Sequence, residues 1–180
     1  FNGWNTAQDG SGTAWDENTI VTENVTYYAQ FTDEVLSYKI TYQLNGGTNP
    51  ADAPASYTYA SGAMLPTPTY AGCTFGGWYT DVGFTGEAVT EIAANTTTGD
   101  KTYYAKWTTS YTVNHYQQKL EGAEYTLESS QTLTGVVGAQ TEAVGKSYTG
   151  FVRQSFEQST IAPNTIVNIY YDRQTYTVTW

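Results

Sequence analysis

The sequence predicts a mainly β protein made of small modules in tandem, and two observations support this prediction. The 180-residue chain contains 17 Tyr, 5 Trp and 17 Gly, and only 13% of its residues are charged. Aromatic residues are enriched in strands and glycine in turns, so this composition favours sheet over helix. One aromatic pattern also occurs twice, and a repeat of this kind constrains the whole architecture.

The repeated pattern begins with a Phe-x-Gly-Trp element and ends with a Tyr-Tyr-Ala-x-aromatic element. The fuller copy has these elements at 75–78 and 103–107, and the partial copy has them at 1–4 and 27–31. The opening elements are 74 residues apart and the closing elements 76 residues apart. The connections inside the two copies therefore differ in length by only two residues, which predicts two related modules.

The module boundaries recur as well. A Ser/Thr-Tyr-x-Ile/Val sequence follows a Tyr-Tyr pair by a few residues at three places, 37–40, 110–113 and 175–178. These recurrences predict an elongated array of four segments: a partial module at 1–36, a complete module at 37–108, a diverged module at 109–174 that lacks the Phe-x-Gly-Trp element, and a closing strand or the start of a further module at 175–180. Short linkers at Thr32 to Ser37 and at Thr108 to Ser110 would allow limited bending.

The complete module shows its predicted elements most clearly. Apolar and polar residues alternate from Tyr38 to Leu44, which is the period of a strand with one solvated face. Asn45-Gly46 supplies a turn, and a short strand is expected at 57–59. Ala88 to Asn95 is the best candidate for a helix. Four prolines break any longer helix before it, namely Pro50, Pro54, Pro66 and Pro68.

Charge and composition exclude several classes of protein. With 17 acidic and 7 basic side chains the formal net charge is −10, whereas nucleic-acid binding needs clustered Lys and Arg. Cys73 is the only cysteine, so neither an intrachain disulfide nor a paired-cysteine metal site is available. No apolar run approaches the ~20 residues of a membrane span, so no membrane insertion is expected in this stretch. Because the chain begins with Phe1 rather than Met, we expect it to be part of a longer protein.

These residues resemble two known families. The aromatic elements of the complete copy, together with the partial copy, look like the Listeria/Bacteroides repeat, also called the internalin B-repeat. Residues 109–174 resemble the mucin-binding-protein (MucBP-like) repeat through Tyr-Thr-Val-Asn-His-Tyr at 111–116, Gly122, Thr134-Gly135, Gly150-Phe151 and Val-Asn-Ile-Tyr-Tyr-Asp at 167–172. Both resemblances imply small β-grasp-like modules with a little helix, strung together in large bacterial surface proteins with spacer or adhesion roles. Neither implies a catalytic residue.

The ionisable residues show no pattern typical of an enzyme. His115 is the only histidine and shares a strand face with Tyr111 and Val113, which favours a core or rim position. A Ser/His/Asp hydrolase would also need an orienting carboxylate and an oxyanion site, and the chain contains no Gly-x-Ser-x-Gly motif. The acid pairs Asp16-Glu17 and Asp33-Glu34 would point to opposite faces of a strand, so we expect them to solvate a surface rather than to form the two-carboxylate site of a glycosidase.

Neither metal binding nor a covalent crosslink is marked by a motif. The oxygen-rich loops at 9–12 and 81–87 are candidates for calcium, but neither has the Asp-x-Asp-x-Asp-Gly spacing of a calcium loop. Asp81 is expected instead to cap a turn. Candidates for a Lys-to-Asn isopeptide crosslink are Lys39, Lys101, Lys106, Lys119 and Lys146. The sequence therefore predicts no catalytic residue, no cofactor and no metal site.

The aromatic side chains allow two interpretations. Those that could stack on sugar rings are Trp4, Trp78, Trp107, Tyr28, Tyr104 and Tyr171. Modules of about 65 to 75 residues have small cores, however, and large aromatic residues are needed to fill them. In the closing strand Tyr103, Ala105 and Trp107 share one face and Tyr104 the other. We therefore expect Trp78 to be buried, while both interpretations remain open for Tyr104.

These observations predict a non-enzymatic fragment of an extracellular bacterial surface protein, attached to the cell through regions outside this sequence. It would act as a stalk or spacer and in adhesion to a host or microbial surface glycan or protein. Two alternatives are a carbohydrate- or mucin-binding module that uses exposed Tyr and Trp, and an accessory region of a secreted enzyme. The half module at 1–36 leaves a strand edge open, which predicts borrowed packing from the second module or pairing with another molecule.

Overall fold

The computed structural model describes residues 1–32 and 35–180. These residues form strands and no α-helix, so the mainly β class is confirmed, and the small helical content implied by the β-grasp resemblance is not seen among them.

The chain divides into two compact units, Phe1–Leu36 and Ser37–Trp180. The strands are β1 (Gly3–Asn5), β2 (Tyr28–Gln30), β3 (Ser37–Gln43), β4 (Ser56–Thr58), β5 (Ala63–Met64), β6 (Thr74–Tyr79), β7 (Glu91–Ile92), β8 (Lys101–Gln118), β9 (Tyr125–Val136), β10 (Phe151–Arg153) and β11 (Ile166–Arg173).

The unit Phe1–Leu36 contains a two-stranded antiparallel sheet. β1 pairs with β2 so that Trp4 lies opposite Ala29. Gly3 has a φ of 113°, a conformation that residues with a side chain rarely adopt, so glycine is needed where β1 begins. After β1, the backbone N–H of Trp15 donates to the carbonyl of Trp4 at 2.9 Å, which brings residue 15 beside the sheet.

The unit Ser37–Trp180 is organised around β8, a strand of 18 residues. The first part of β8 pairs in parallel with β3 and antiparallel with β6. Its second part pairs in parallel with β11 and antiparallel with β9. β4 extends the sheet beyond β3, and β10 extends it beyond β11. β8 thus supplies the closing strand of the segment 37–108 and the opening strand of the segment 109–174.

Two hydrophobic clusters lie along β8, on the face that its odd-numbered residues share. The first contains Ile40, Tyr57, Trp78, Ile92, Tyr103, Ala105 and Trp107. The second contains Tyr111, Val113, Ala143, Ile161, Val167, Ile169 and Tyr171. The burial predicted for Trp78 is confirmed, because only 1% of its surface is exposed. The turn predicted at Asn45-Gly46 is also confirmed, with positive φ at both residues.

The helix predicted at Ala88 to Asn95 is wrong. Val89 bridges to Trp78 as part of an antiparallel pair, and the two residues of β7 pair with β5. An isolated helix of eight residues is marginal, and a β-branched residue such as Thr90 weakens it further. Strand pairing instead buries Ile92 in the first cluster, which a short surface helix would not guarantee.

The linker predicted at Thr108 to Ser110 is also wrong. These three residues lie inside β8 and pair with residues 134–136 of β9. Their backbone groups are satisfied by a neighbouring strand, so the chain does not bend freely there. Residues 175–180 form no strand in the structure, and their assignment to a further module stays a prediction.

Asp172 occupies a different place from the one that sequence alignment gives it. The Tyr-Tyr pairs align it with Ala105, which faces the first cluster and has no exposed surface. In β11 the inward residue is Tyr171, and Asp172 lies on the opposite face. There its carboxylate accepts hydrogen bonds from the hydroxyl of Tyr125 at 2.5 Å and from the amide of Gln154 at 2.8 Å.

Candidate functional site

Burial separates the six aromatic candidates into two groups. Trp78, Trp107 and Tyr171 are each at most 2% exposed and belong to the two clusters, so they are not accessible to a ligand. Trp4 and Tyr28 are 44% and 41% exposed, respectively. The remaining candidate, Tyr104, is half-buried. Of these six candidates, the two most accessible rings therefore lie in the unit at the start of the chain.

Five side chains of this unit form what we call the aromatic face: Phe1, Trp4, Trp15, Tyr27 and Phe31. Three of them, Trp4, Trp15 and Tyr27, line a shallow groove of about 330 Å³. The ring of Phe1 lies 5.6 Å from that of Trp4 and 5.7 Å from that of Phe31, edge-on in both cases. Edge-to-face pairs of this kind are favourable, so Phe1 holds Trp4 and Phe31 together, and Trp4 connects these rings to the groove.

A hydrogen-bonded loop holds the strand that carries Trp4. Asn5, the next residue of β1, is 6% exposed. Its side-chain amide donates to the carbonyls of Gly10 and Gly12, both at 3.1 Å, and its side-chain oxygen accepts from the N–H of Ala7 at 2.9 Å. The position of Trp4 is therefore fixed by polar contacts even though its ring is open to solvent.

Of the five residues of the aromatic face, sequence reasoning named only Trp4 as a candidate; it missed Phe1, Trp15, Tyr27 and Phe31, and also the supporting Asn5. Trp15 could have been found from the repeat: it lies 74 residues before Val89, which is the offset between the opening elements of the two copies, so the two residues are equivalent. Both residues donate their backbone N–H to the carbonyl of the tryptophan of their copy, at 2.9 and 2.8 Å. The counterpart of Tyr27 is Tyr103, which is buried in the first cluster. Asn5 gives no such signal, because its counterpart in the complete copy is a tyrosine.

His115 is a core residue and has no access to a substrate. It is fully buried, and its Nδ1 lies 2.8 Å from the hydroxyl of Tyr171. That hydroxyl accepts a hydrogen bond from the backbone N–H of Lys146 at 2.7 Å, so its proton is available to Nδ1. Burial, and secondly the positive charge of Lys146, lower the pKa of His115. The imidazole is therefore neutral and enclosed, and its Nε2 has no hydrogen-bond partner among the described residues.

The carboxylates of Asp9 and Asp81 accept hydrogen bonds from residues of their own loops. Asp9 accepts from the N–H and hydroxyl of Ser11. Asp81 accepts from the N–H of Gly83 and from the N–H and hydroxyl of Thr85, which confirms its predicted role in a turn. These bonds lower the pKa of both carboxyl groups. The described part of the chain contains no group of three or more His, Cys, Asp or Glu placed to hold a metal ion.

The other ionisable candidates make ordinary surface contacts. Asp16 accepts from the N–H of Asn18 at 2.8 Å in an exposed turn, and the pair Asp33-Glu34 lies outside the described residues. Three lysines considered for a crosslink have other partners: Lys106 lies over the rings of Tyr79 and Phe84, Lys119 pairs with Glu124, and Lys146 donates to Ser129.

Two proteins of Evansella cellulosilytica are similar to most of this chain. One, named "Putative Gly-rich membrane protein", is 32% identical over 168 residues, and the other, named "Putative membrane protein", is 31% identical over 179 residues. The matches cover 87% and 91% of this chain but only 18% and 25% of the relatives, so the chain spans at most a quarter of the length of the curated relatives it matches. No solved structure matches the chain. Within residues 1–32 and 35–180 we find no helix with the length and apolar character that crossing a membrane requires.

The sequence profile of the Listeria-Bacteroides repeat domain matches residues 1–30 and 38–106, which together are more than half of the chain. The two matched ranges coincide with the partial and the complete copy of the aromatic pattern. The partial copy thus carries enough of the family pattern to be matched without its front half. The chain therefore belongs to the Listeria-Bacteroides repeat domain family.

Proposed function

We propose that this chain is a non-enzymatic repeat region of a bacterial cell-surface protein, exposed outside the cell, where it acts as a spacer and contributes to adhesion. Family membership and the membrane-protein names of the two relatives support a surface-associated repeat protein. In this proposal residues 37–108 are an internalin B-repeat module and residues 109–174 a MucBP-like module. The observation that carries the spacer role is the continuity of β8 from one module into the next.

Backbone and side-chain contacts fix both sides of the boundary that β8 crosses. The N–H of Val137, just after β9, donates to the carbonyl of Trp107 at 2.9 Å. The hydroxyl of Thr109 donates to the carbonyl of Gly72 at 2.7 Å. At about 3.3 Å per residue, the 18 residues of β8 extend over up to ~60 Å. A joint of this kind keeps the spacing between two modules constant, which is what a spacer requires.

Distances measured across the boundary test the spacer role. In a Cys73→Ser background, spin labels at the exposed positions Asp52→Cys and Glu157→Cys report the separation of the two modules by electron paramagnetic resonance. We expect a single narrow distance distribution. Inserting Gly-Ser-Gly-Ser between Thr109 and Ser110 should broaden it. A matched insertion in the turn after β8, between Glu121 and Gly122, should leave it narrow. A broad distribution in the uninterrupted chain would contradict the proposal.

The adhesion role is supported by two tyrosines, Tyr104 and Tyr28, which lie on the opposite strand face from Tyr103 and Tyr27. Tyr104 alternates with the buried Tyr103 on β8, and its counterpart Tyr28 alternates with Tyr27. Flat apolar ring faces with a hydroxyl at the edge suit stacking on sugars. Glycan-array screening of the chain and of the double variant Tyr28→Ala/Tyr104→Ala tests this role. We expect the chain to bind glycans and the double variant to lose that binding. If the chain binds no glycan, the adhesion role is rejected, while the spacer role, which the distance measurement tests, is unaffected.

A further inference from the structure

We propose that a pocket in the unit Ser37–Trp180 binds one unit of an acidic sugar, with the carboxylate of the sugar held by Lys146 and Arg153. The pocket has a volume of about 340 Å³. We call it the cationic pocket, and among its lining residues are Gly145, Lys146, Ser147, Tyr148, Arg153 and Tyr171. It contains neither of the tyrosines proposed for adhesion, Tyr28 and Tyr104, so this inference goes beyond that role and does not rest on it.

The cationic pocket concentrates positive charge in an acidic chain. The formal net charge of the chain is −10, and two of its seven basic side chains line this one pocket. Residues 143–156 contain these two and no acidic residue. Among residues 1–32 and 35–180, neither Lys146 nor Arg153 forms an ion pair with a carboxylate. Two cations that share a pocket without a counter-charge repel each other, and a bound anion would offset that repulsion.

The acid that follows the pocket residue Tyr171 in the chain does not supply this counter-charge. Arg153 lies opposite Tyr171 in the pairing of β10 with β11. Asp172 is the next residue of β11, so its side chain is on the other face of the sheet. There its carboxylate accepts hydrogen bonds from Tyr125 and Gln154. The pocket side of these strands therefore keeps its positive charge.

Glycine at position 145 leaves room for the guanidinium group of Arg153. A Cβ at Gly145 would collide with this guanidinium. Gly145 does not have a positive φ, which would by itself favour glycine, so what matters here is its lack of a side chain. The guanidinium also lies 5.4 Å from the centre of the Phe156 ring. Arg153 is thus positioned by its neighbours although it is exposed, and its planar fork matches the two oxygens of a carboxylate.

Lys146 is connected to a network of hydroxyl groups. Its backbone N–H donates to the hydroxyl of Tyr171 at 2.7 Å, and its Nζ donates to the Oγ of Ser129 at 3.0 Å. The same Oγ lies 3.2 Å from the hydroxyl of Tyr148, whose ring packs edge-on at 4.8 Å from the ring of Tyr171. An ammonium group has three N–H donors. One of them goes to Ser129, which leaves donors for a ligand.

Both cations act on the same buried pair of side chains. The Nδ1 of His115 lies 2.8 Å from the hydroxyl of Tyr171. Burial lowers the pKa of His115, and the charge of Lys146 lowers it further. Burial raises the pKa of Tyr171, and the charge of Arg153 acts in the opposite direction. The two charges therefore lie near one another, as two groups that share one carboxylate must.

The rest of the lining favours a sugar over other carboxylates. A volume of about 340 Å³ is within the range of ligand pockets, about 300 to 1,000 Å³, and exceeds what a carboxylate alone needs. Ser147 and Tyr148 bring hydroxyl groups that can exchange hydrogen bonds with those of a sugar, and the ring of Tyr148 offers a flat apolar surface. An acidic side chain of a peptide has the same carboxylate but no hydroxyl groups to pair with them.

Titration of the intact, ¹⁵N-labelled chain with sodium glucuronate tests the proposal. We expect saturable shifts of the backbone amide signals of Gly145, Lys146 and Ser147, with an affinity in the millimolar range. Glucose is the matched control, because it has a hydroxymethyl group where glucuronate has its carboxylate, and it should cause no shifts. Acetate and N-acetylglutamate should each bind about tenfold more weakly than glucuronate, because they lack the ring hydroxyl groups.

Three variants separate a positioned site from general attraction by charge. Arg153→Gln should weaken glucuronate binding by about tenfold or more, because a charge-assisted hydrogen bond is lost. Gly145→Ala keeps both charges but displaces the guanidinium, so it should weaken binding by about threefold or more. Lys119→Gln removes the same charge from an exposed pair with Glu124 and should leave binding unchanged.

Four outcomes would overturn the proposal: no saturable shifts with millimolar glucuronate, equal binding of glucose, equal binding of acetate, and tighter binding of N-acetylglutamate, which would assign the pocket to an acidic peptide. These comparisons use the wild-type chain, so they decide the matter even if a variant fails to fold. Tyr28→Ala/Tyr104→Ala should bind glucuronate as the wild type does. Millimolar binding of one sugar unit is seen by titration and is lost when an array is washed, so failure of this site and failure of the adhesion role are distinguishable.

Discussion

The two copies of the aromatic pattern fold alike but lie in different surroundings. They share strand register, glycine conformation and ring spacing, yet Trp78 is 1% exposed and Trp4 is 44% exposed. The pattern therefore specifies local backbone geometry and does not by itself specify burial. Burial is supplied by residues 38–70, whose rings and carbonyl groups cover Trp78 and Trp107. Whether this motif is buried therefore depends on whether a segment such as residues 38–70 packs on it.

The largest expected difference between the copies is in the cost of removing their tryptophans. Trp78→Ala deletes a fully buried ring and a hydrogen bond, so it should lower the free energy of unfolding of its unit by about 3 to 5 kcal/mol. Trp4→Ala removes a half-open ring and should cost less than about 1 kcal/mol. Urea denaturation followed through the amide signals of each unit measures both values separately. Equal losses in the free energy of unfolding would show that Trp4 is as well packed as Trp78, and would contradict the difference in burial between the two copies.

A smaller difference is expected at the glycine before each tryptophan. A Cβ at Gly77 would lie 2.6 Å from the Cβ of Ala88, whereas a Cβ at Gly3 would meet nothing within 4 Å. Alanine at either position has an unfavourable positive φ, which costs about 1 to 3 kcal/mol. Gly77→Ala should cost a further ~1 to 3 kcal/mol, because it also overpacks the module. The companion variant Gly77→Ala/Ala88→Gly should recover that further cost, and thermal unfolding of the three variants would reveal it. If the companion variant recovers nothing, contact with Ala88 is not the cause.

Much of the fold follows from patterns that act over a few residues. The alternation of apolar and polar residues at 38–44 predicts β3. The residue types Asn45-Gly46, which tolerate a positive φ, predict the turn. The burial of Trp78 follows because a small module needs large aromatic residues to fill its core. The fate of residues 88–95 could not be predicted in this way. It depends on the pairing of Val89 with Trp78, a contact between segments that no local propensity describes.

The candidate site was less predictable than the fold. Trp15 belongs to a loop without periodicity, so only the offset between the copies connects it to the groove. The alignment of Asp172 with Ala105 left its packing open, because two adjacent tyrosines do not show which of them faces the core, and a shift of one residue moves a side chain to the other face of a strand. The exposure of Trp4 could not be predicted from the repeat motif, because the motif specifies backbone geometry and not which segment packs on it.

The smallest expected effect extends the comparison to the second cluster, because the chain's only histidine, His115, lies beside it and contacts the hydroxyl of Tyr171. The pKa of the buried His115 lies below its ordinary value of 6.5, so the unfolded chain takes up a proton at a higher pH than the folded chain does. The stabilisation from a neutral His115 is therefore fully present above about pH 6.5 and is lost as the pH falls through the folded pKa. Urea midpoints between pH 7.5 and 5 should fall for residues around β11, and His115→Gln should flatten that fall because glutamine can still accept from Tyr171 and does not titrate. An equally steep fall in the variant would assign the pH dependence to other groups.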